Sequence, residues 1–213
     1  MTAPLIKICG LSRLADVDAA LAARATHIGL VFFPKSPRHV AIEQAAALAA
    51  HARGRVQVVG LFVDPAADLL ATVRAQVHLD AIQLHGHETP AQAAHIRAAQ
   101  GLPVWKAIGV RKRADLDAAQ AFVGVADRIL YDAKPPEGAD LPGGTGLRID
   151  WRLMQGHRQP LPWLLAGGLT PGNVAEAMAI TGAPGVDVSS GVESAPGVKD
   201  AGLIAAFGRA VLA

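Results

Sequence analysis

One cysteine occurs in 213 residues, and Cys9 closes the apolar run Leu5-Ile6-Lys7-Ile8-Cys9 directly ahead of Gly10. α/β proteins bind ligands just beyond the carboxyl ends of their strands, so a thiol there can serve as acid, base or nucleophile. On its own a lone cysteine reads as core. A second run, Arg128-Ile129-Leu130-Tyr131-Asp132, ends in a carboxylate immediately before a stretch rich in glycine and proline. If both runs belong to one barrel, Cys9 and Asp132 reach opposite sides of a small ligand, as a proton acceptor and a proton donor must. Asp132 alone reads equally as an aspartate that starts a loop or caps a helix.

Side chains alternate along a strand, so Lys7 points inward beneath Cys9, where an ammonium would favour the thiolate. Two turns, Ala166-Gly167-Gly168-Leu169-Thr170 and Ser189-Ser190-Gly191-Val192-Glu193, follow the seventh and eighth apolar runs. Their glycines let backbone N–H groups approach a phosphate, and Ser190 adds a hydroxyl donor; ordinary tight turns are the plainer reading. Pro34-Lys35-Ser36-Pro37-Arg38 is a stiffened loop whose Arg38 could clamp a carboxylate through two parallel hydrogen bonds, or else be a solvated arginine. His85, ending Gln83-Leu84-His85, and Asp187, in Val186-Asp187-Val188, share the inward parity and can hydrogen-bond a substrate or hold structure. The remaining histidines show no metal-ligand spacing, and a single cysteine offers no Cys pair for zinc, so no metal site is expected. Trp105, Trp151 and Trp163 read as packing residues.

The elements that would position these groups follow from periodicity. Strand-length apolar runs occur at 4–9, 27–33, 56–63, 80–84, 103–108, 128–132, 162–166 and 185–189. Ala-rich stretches with helical spacing alternate with them, at 13–24, 41–52, 66–77, 90–99, 114–122, 172–180 and 200–211. About eight βα units predict an α/β fold, a single-domain (β/α)8 TIM barrel over 1–213. A doubly wound open sheet is the rival, weakened because the first βα turn lacks the spaced glycines of a dinucleotide site. Thr170-Pro171 and Asp64-Pro65 each read as an N-cap followed by a first-turn proline. Residues 133–148 carry Pro135, Pro136, Gly138, Pro142, Gly143, Gly144 and Gly146 with no period, which predicts a mobile lid or binding loop.

Composition narrows the function classes. Hydrophobic residues make up 51% and charged residues 18%, with a net charge of +2, so neither disorder nor a nucleic-acid surface is expected and a small anionic ligand suits the balance. No apolar run approaches a membrane span and no signal-like leader is seen, and the lone cysteine fits a reducing compartment, so the cytoplasm is the expected location. A monomer is expected, with a homodimer left open.

Taken in order, Lys7-Ile8-Cys9-Gly10, Ser36-Pro37-Arg38, Gln83-Leu84-His85-Gly86, Asp132, Gly143-Gly144-Thr145-Gly146, Ala166-Gly167-Gly168-Leu169 and Val186-Asp187-Val188-Ser189-Ser190-Gly191-Val192-Glu193 resemble the phosphoribosylanthranilate isomerase family of tryptophan biosynthesis. The resemblance spans nearly the whole chain. It implies a barrel that converts N-(5′-phosphoribosyl)anthranilate to its 1-deoxyribulose product by an Amadori rearrangement, without a cofactor. It further implies Asp132 as the general acid and Cys9 as the general base. Arg38 would face the anthranilate carboxylate, and Asp187 the substrate's polar groups. Gly144, Gly167, Gly168, Ser190 and Gly191 would lie toward the phosphate, with Lys7 and His85 beside the substrate. The chain departs from the family's pattern at Ile149, where an aromatic residue is expected. Two rivals stay open: another phosphosugar barrel, such as an indole-glycerol-phosphate synthase or a sugar-phosphate epimerase, and a silent barrel that binds a phosphorylated metabolite.

Overall fold

The computed structural model describes residues 3–134, 136, 138, 141–144 and 146–213. Eight strands carry the predicted apolar runs: β1 (Leu5–Cys9), β2 (His27–Phe32), β3 (Gln57–Phe62), β4 (Ala81–Leu84), β5 (Val104–Val110), β6 (Arg128–Ala133), β7 (Trp163–Leu165) and β8 (Gly185–Val188). All pair in parallel with their sequence neighbours, and β1 also pairs with β8, with Lys7 opposite Asp187, so the sheet closes. The architecture is therefore the barrel and not the open sheet.

Parallel neighbours need crossovers, and these run through α1 (Leu14–Ala22), α2 (Ile42–Ala52), α3 (Ala67–Gln76), α4 (Pro90–Gln100), a 3-10 helix (Arg113–Phe122), a short 3-10 turn (Trp151–Met154) and α5 (Val174–Thr181), with α6 (Ala201–Leu212) following β8. Strand residues of one parity, such as Ile6, Ile8, Ile28, Leu30 and Phe62, pack outward against these helices in the main core. Residues of the other parity fill the barrel itself. Val59, Ala81, Trp105, Ala107, Leu130, Leu164 and Ala166 form its lower filling, while Cys9, Val31 and Leu61 form a separate group toward the strand ends. Lys7, His27, Gln83, Asp132 and Asp187 are buried polar members of this interior set. Burying them without partners is costly, so their pairing is informative.

Several predicted details differ. The stretch expected as an α-helix over 114–122 is a 3-10 helix, and its buried residues Leu116, Ala119 and Phe122 recur every third position. That spacing suits three residues per turn, which a helical period read from sequence does not distinguish from 3.6. Thr170 does not cap α5; the N-cap position is Asn173, whose side chain makes no capping bond and instead accepts from Thr170 N–H at 2.8 Å and donates to Gly168 O at 3.0 Å. Asp64 does not cap α3 either. It takes φ 45° and turns its carboxylate to accept from His87 N–H at 2.6 Å, and α3 starts only after Ala66. A capping box not foreseen, Thr89 with Gln92 and Pro90 at the first position, starts α4. A hairpin, β9 (Glu193–Ala195) with β10 (Val198–Lys199), was likewise unforeseen. Among the described residues, no helix is long and apolar enough to cross a membrane.

Candidate active site

Parallel closure brings every strand's carboxyl end to one mouth, and a cleft opens there. Cys9, Arg38, His85, Asp132, Gly144, Gly167, Gly168, Asp187, Ser190 and Gly191 all line it. Lys7 alone of the predicted set does not: it is fully buried beneath the floor. Thr145 and Pro135, which belong to the predicted motif and loop, lie outside the described residues. The loop residues Leu141, Pro142, Gly143, Gly146 and Leu147 also line the cleft, so this segment sits against the mouth.

Cys9 ends β1 and is 4% exposed. Its register neighbour on β2 is Gly29, where a Cβ would lie 2.6 Å from the Cys9 sulfur. The missing side chain thus makes room for the thiol. Burial pushes the Cys9 thiol up from its ordinary value, and Lys7 pulls it down without overcoming that rise, to which Asp187 adds. Lys7 acts in the direction read from the sequence, toward the thiolate, but burial outweighs it. Lys7 Nζ is committed to Asp187 Oδ1 at 2.7 Å. Burial lowers Lys7, but Asp187 and Cys9 more than offset it, so the ammonium stays charged. The resting group is a buried thiol above a neutralised ion pair.

Asp132 is the penultimate residue of β6, three steps around the ring from β1 through β7 and β8. Its Oδ1 accepts from the Ala133 N–H at 2.8 Å, and its Oδ2 lies 3.3 Å from His85 Nε2. On the other side of that imidazole, Gln83 Nε2 is 3.0 Å from Nδ1. Gly143 of the loop passes so close that a Cβ there would lie 2.5 Å from Asp132 Oδ2 and 2.7 Å from His85 Nε2. The acid, the imidazole and the loop form one contact group.

Arg38 is held differently from the prediction. Its Nε and Nη2 donate to Glu193 Oε1 and Oε2 at 2.7 and 2.8 Å, so the fork expected for a ligand carboxylate already grips a protein carboxylate. Nη2 also donates to Gly144 O at 3.1 Å. Glu193 accepts from Lys199 Nζ at 2.6 Å as well, and Lys199 donates to Ser189 O at 3.0 Å. Burial pushes Glu193 up, yet Arg38 and Lys199 together hold it below the usual carboxylate range. Ser189 Oγ in turn donates to Cys9 O at 3.0 Å, tying the end of β8 to the end of β1. Glu193, Lys199, Gln83 and Gly29 were not singled out from sequence; Glu193 and Gln83 stood inside quoted motifs, but nothing in spacing shows which distant charge a buried group meets.

After β7, Gly167 and Gly168 take successive left-handed conformations, φ 82° and 64°. That geometry turns consecutive N–H groups toward the same side, the arrangement that receives an anion. Among the described residues the amides of Gly167, Gly168, Ser190 and Gly191 have no protein acceptor, and the side chain at 190 brings a hydroxyl. Chemically the cleft offers a thiol, a carboxyl with an imidazole at its side, and a cluster of amide donors. Among the described residues no group of three or more His, Cys, Asp or Glu is placed to hold a metal ion.

Residues 6–210 match the family model described as N-(5′phosphoribosyl)anthranilate (PRA) isomerase. A protein named N-(5′-phosphoribosyl)anthranilate isomerase from Paramagnetospirillum magneticum is 55% identical over 205 residues, covering 96% of this chain and 95% of the relative. One of the same name from Paracoccus denitrificans is 58% identical over 202 residues, 95% and 94% of the two chains. The crystal structure of phosphoribosyl anthranilate isomerase from Thermotoga maritima superposes with a TM-score of 0.87 at 34% identity, covering 98% of each chain. A phosphoribosyl anthranilate isomerase in complex with reduced 1-(o-carboxyphenylamino)-1-deoxyribulose 5-phosphate does so with 0.84 at 32% identity, again over 98% of each.

Proposed function

Since the chain belongs to the N-(5′-phosphoribosyl)anthranilate isomerase family, we propose how this cleft carries out the family's reaction in one barrel domain. The enzyme isomerises N-(5′-phosphoribosyl)anthranilate to 1-(2-carboxyphenylamino)-1-deoxyribulose 5-phosphate in tryptophan biosynthesis. The amide donors after β7 and β8, with Ser190, hold the phosphate, and Gly144 of the loop closes over the far side. Asp132 delivers its proton to the furanose ring oxygen, the C1′–O bond breaks, and the ring opens to a Schiff base. Cys9 then removes the C2′ proton, and the resulting enolamine tautomerises to the ketone. A buried thiol suits the second step, because it must be activated only when the iminium is present, and the positive charge on that intermediate both acidifies C2′ and favours the thiolate beneath it.

Arg38 meets the anthranilate carboxylate through Nη1, since Glu193 holds its other edge, and Asp187 orients the sugar from beside Lys7. The observation that carries this reading is that Cys9 and Asp132, 123 positions apart in the sequence, line one cleft together with the amide cluster, whose strands β7 and β8 lie between theirs in the ring. Generating the unstable substrate in situ and following its anthranilate-type fluorescence tests it: the enzyme should accelerate the fluorescence loss. Binding without acceleration would favour the silent barrel instead. The exposed large apolar residues Leu14, Val123, Leu147, Val198 and Leu212 sit on separate elements, which supports a monomer, to be checked by sedimentation. A single buried cysteine supports work in a reducing compartment such as the cytoplasm.

A further inference from the structure

We propose that Gln83 is a positioning residue for the acid step, fixing which nitrogen of His85 carries the proton; this rests on the role given above to Asp132. Gln83 sits in β4 facing the barrel interior, between Leu61 and Trp105 in the register, and is fully buried. Its Nε2 lies 3.0 Å from His85 Nδ1, and its Oε1 is buried with no partner. A carboxamide in an interior otherwise lined here by Leu61 and Trp105 is costly to keep, since an unpaired buried oxygen loses its water. What it does for His85 explains its presence.

The orientation of the carboxamide follows from counting donors and acceptors. As placed, Oε1 and one N–H are unpaired and the other N–H points at Nδ1. Turned over, the oxygen would need a proton on Nδ1, which would leave the Nε2 lone pair facing the Asp132 carboxylate oxygen at 3.3 Å. The first arrangement is the better one, so Nδ1 accepts and the imidazole proton resides on Nε2. Nε2 is the nitrogen 3.3 Å from Asp132 Oδ2.

Asp132 therefore accepts from the Ala133 N–H on Oδ1 at 2.8 Å and has the Nε2–H of His85 within ion-pair reach of Oδ2 at 3.3 Å. When its proton passes to the ring oxygen, the new carboxylate is stabilised by both, and His85 keeps its own proton throughout. The opposite tautomer would present a lone pair to that carboxylate and oppose its formation. Gln83 touches no reacting atom; it acts by choosing the tautomer.

The test uses the full-length enzyme labelled with 15N-histidine. Long-range 1H–15N spectra distinguish a protonated from an unprotonated ring nitrogen, and a His85→Asn sample assigns the resonances. The expected wild-type pattern has a protonated Nε2 and an accepting Nδ1. In Gln83→Leu that preference is lost, with kcat down at least about tenfold and KM unchanged. In Gln83→Glu, whose carboxylate draws the proton to Nδ1, the pattern inverts and kcat falls likewise. A wild-type spectrum with the proton on Nδ1 overturns the proposal whether or not the variants fold. So does Gln83→Leu with wild-type kcat and an intact Nε2–H signal. Wild-type turnover of substrate is read separately, so a failure of the isomerase reading shows as no turnover at all and is not confused with a failure at Gln83.

Discussion

At Cys9 two neighbours of opposite charge act on one thiol, which makes its titration a direct readout of the buried cluster. Burial raises the thiol, Lys7 lowers it and Asp187 raises it. Lys7→Met removes the stabilising cation, so the pH midpoint for alkylation of Cys9 should move upward. Asp187→Asn removes the opposing anion, so the midpoint should move downward. Mass-spectrometric alkylation profiles read both, and two shifts of the same sign would show that the cluster does not set the thiol. For the reaction itself, Cys9→Ala and Asp132→Asn should each lower kcat by on the order of 10² or more while substrate still binds; near-wild-type turnover removes the residue from the mechanism. These groups were legible in sequence because each ends an apolar run. The pairing of Arg38 with Glu193 was not, because the two are 155 positions apart and nothing local to either announces the other.

Strand β2 shows how an element shapes the site without contributing a functional group. Gly29 faces inward opposite Cys9, and a Cβ there would lie 2.6 Å from the sulfur, which leaves no room for a methyl. Gly29→Ala should cost roughly 1–3 kcal/mol of stability by overpacking and, by displacing the thiol, lower kcat on the order of 10²-fold. Urea midpoints and steady-state kinetics separate the two effects; a stability loss with kcat intact would mean the thiol's placement is tolerant. All eight strands were legible because each is buried on both faces and reads as an unbroken apolar run. The 3-10 helix at Arg113–Phe122 was misread because its three-residue spacing of Leu116, Ala119 and Phe122 resembles a helical stripe. The β9–β10 hairpin was missed because strands of three and two residues carry no measurable period. The caps at Asp64 and Thr170 failed for other reasons: the Asp64 carboxylate is taken by the His87 N–H from another element, and α5 starts three residues beyond Thr170, at Asn173.

Across the molecule the barrel divides its labour, with chemistry at the carboxyl ends of the strands and stability at the other end. Alternation of strands and helices made the closed barrel legible, but the ion pair across its closing seam, Lys7 with Asp187 at 180 positions' separation, was not. Near the amino-terminal end, His27 packs 5.1 Å from the Trp105 ring, and the Arg128 guanidinium lies 5.1 Å from the same ring. Burial, with Arg128 and Lys7 adding to it, lowers the His27 pKa to about 4. In the unfolded chain this imidazole titrates near pH 6.5, so between about pH 6.5 and 4 the unfolded state binds the extra proton. Stability contributed by neutral His27 is therefore complete above about pH 6.5 and lost as the pH falls through that window, reaching roughly 3 kcal/mol by pH 4. Carboxylates titrate in the same range, so the quantity to measure is the difference between wild type and His27→Gln. The unfolding free energy of the wild type should fall more steeply with acid, and the two curves should converge as the pH drops. Parallel curves from pH 7 to 4 would show that His27 carries its proton equally well in both states and that the bottom of the barrel is open to water.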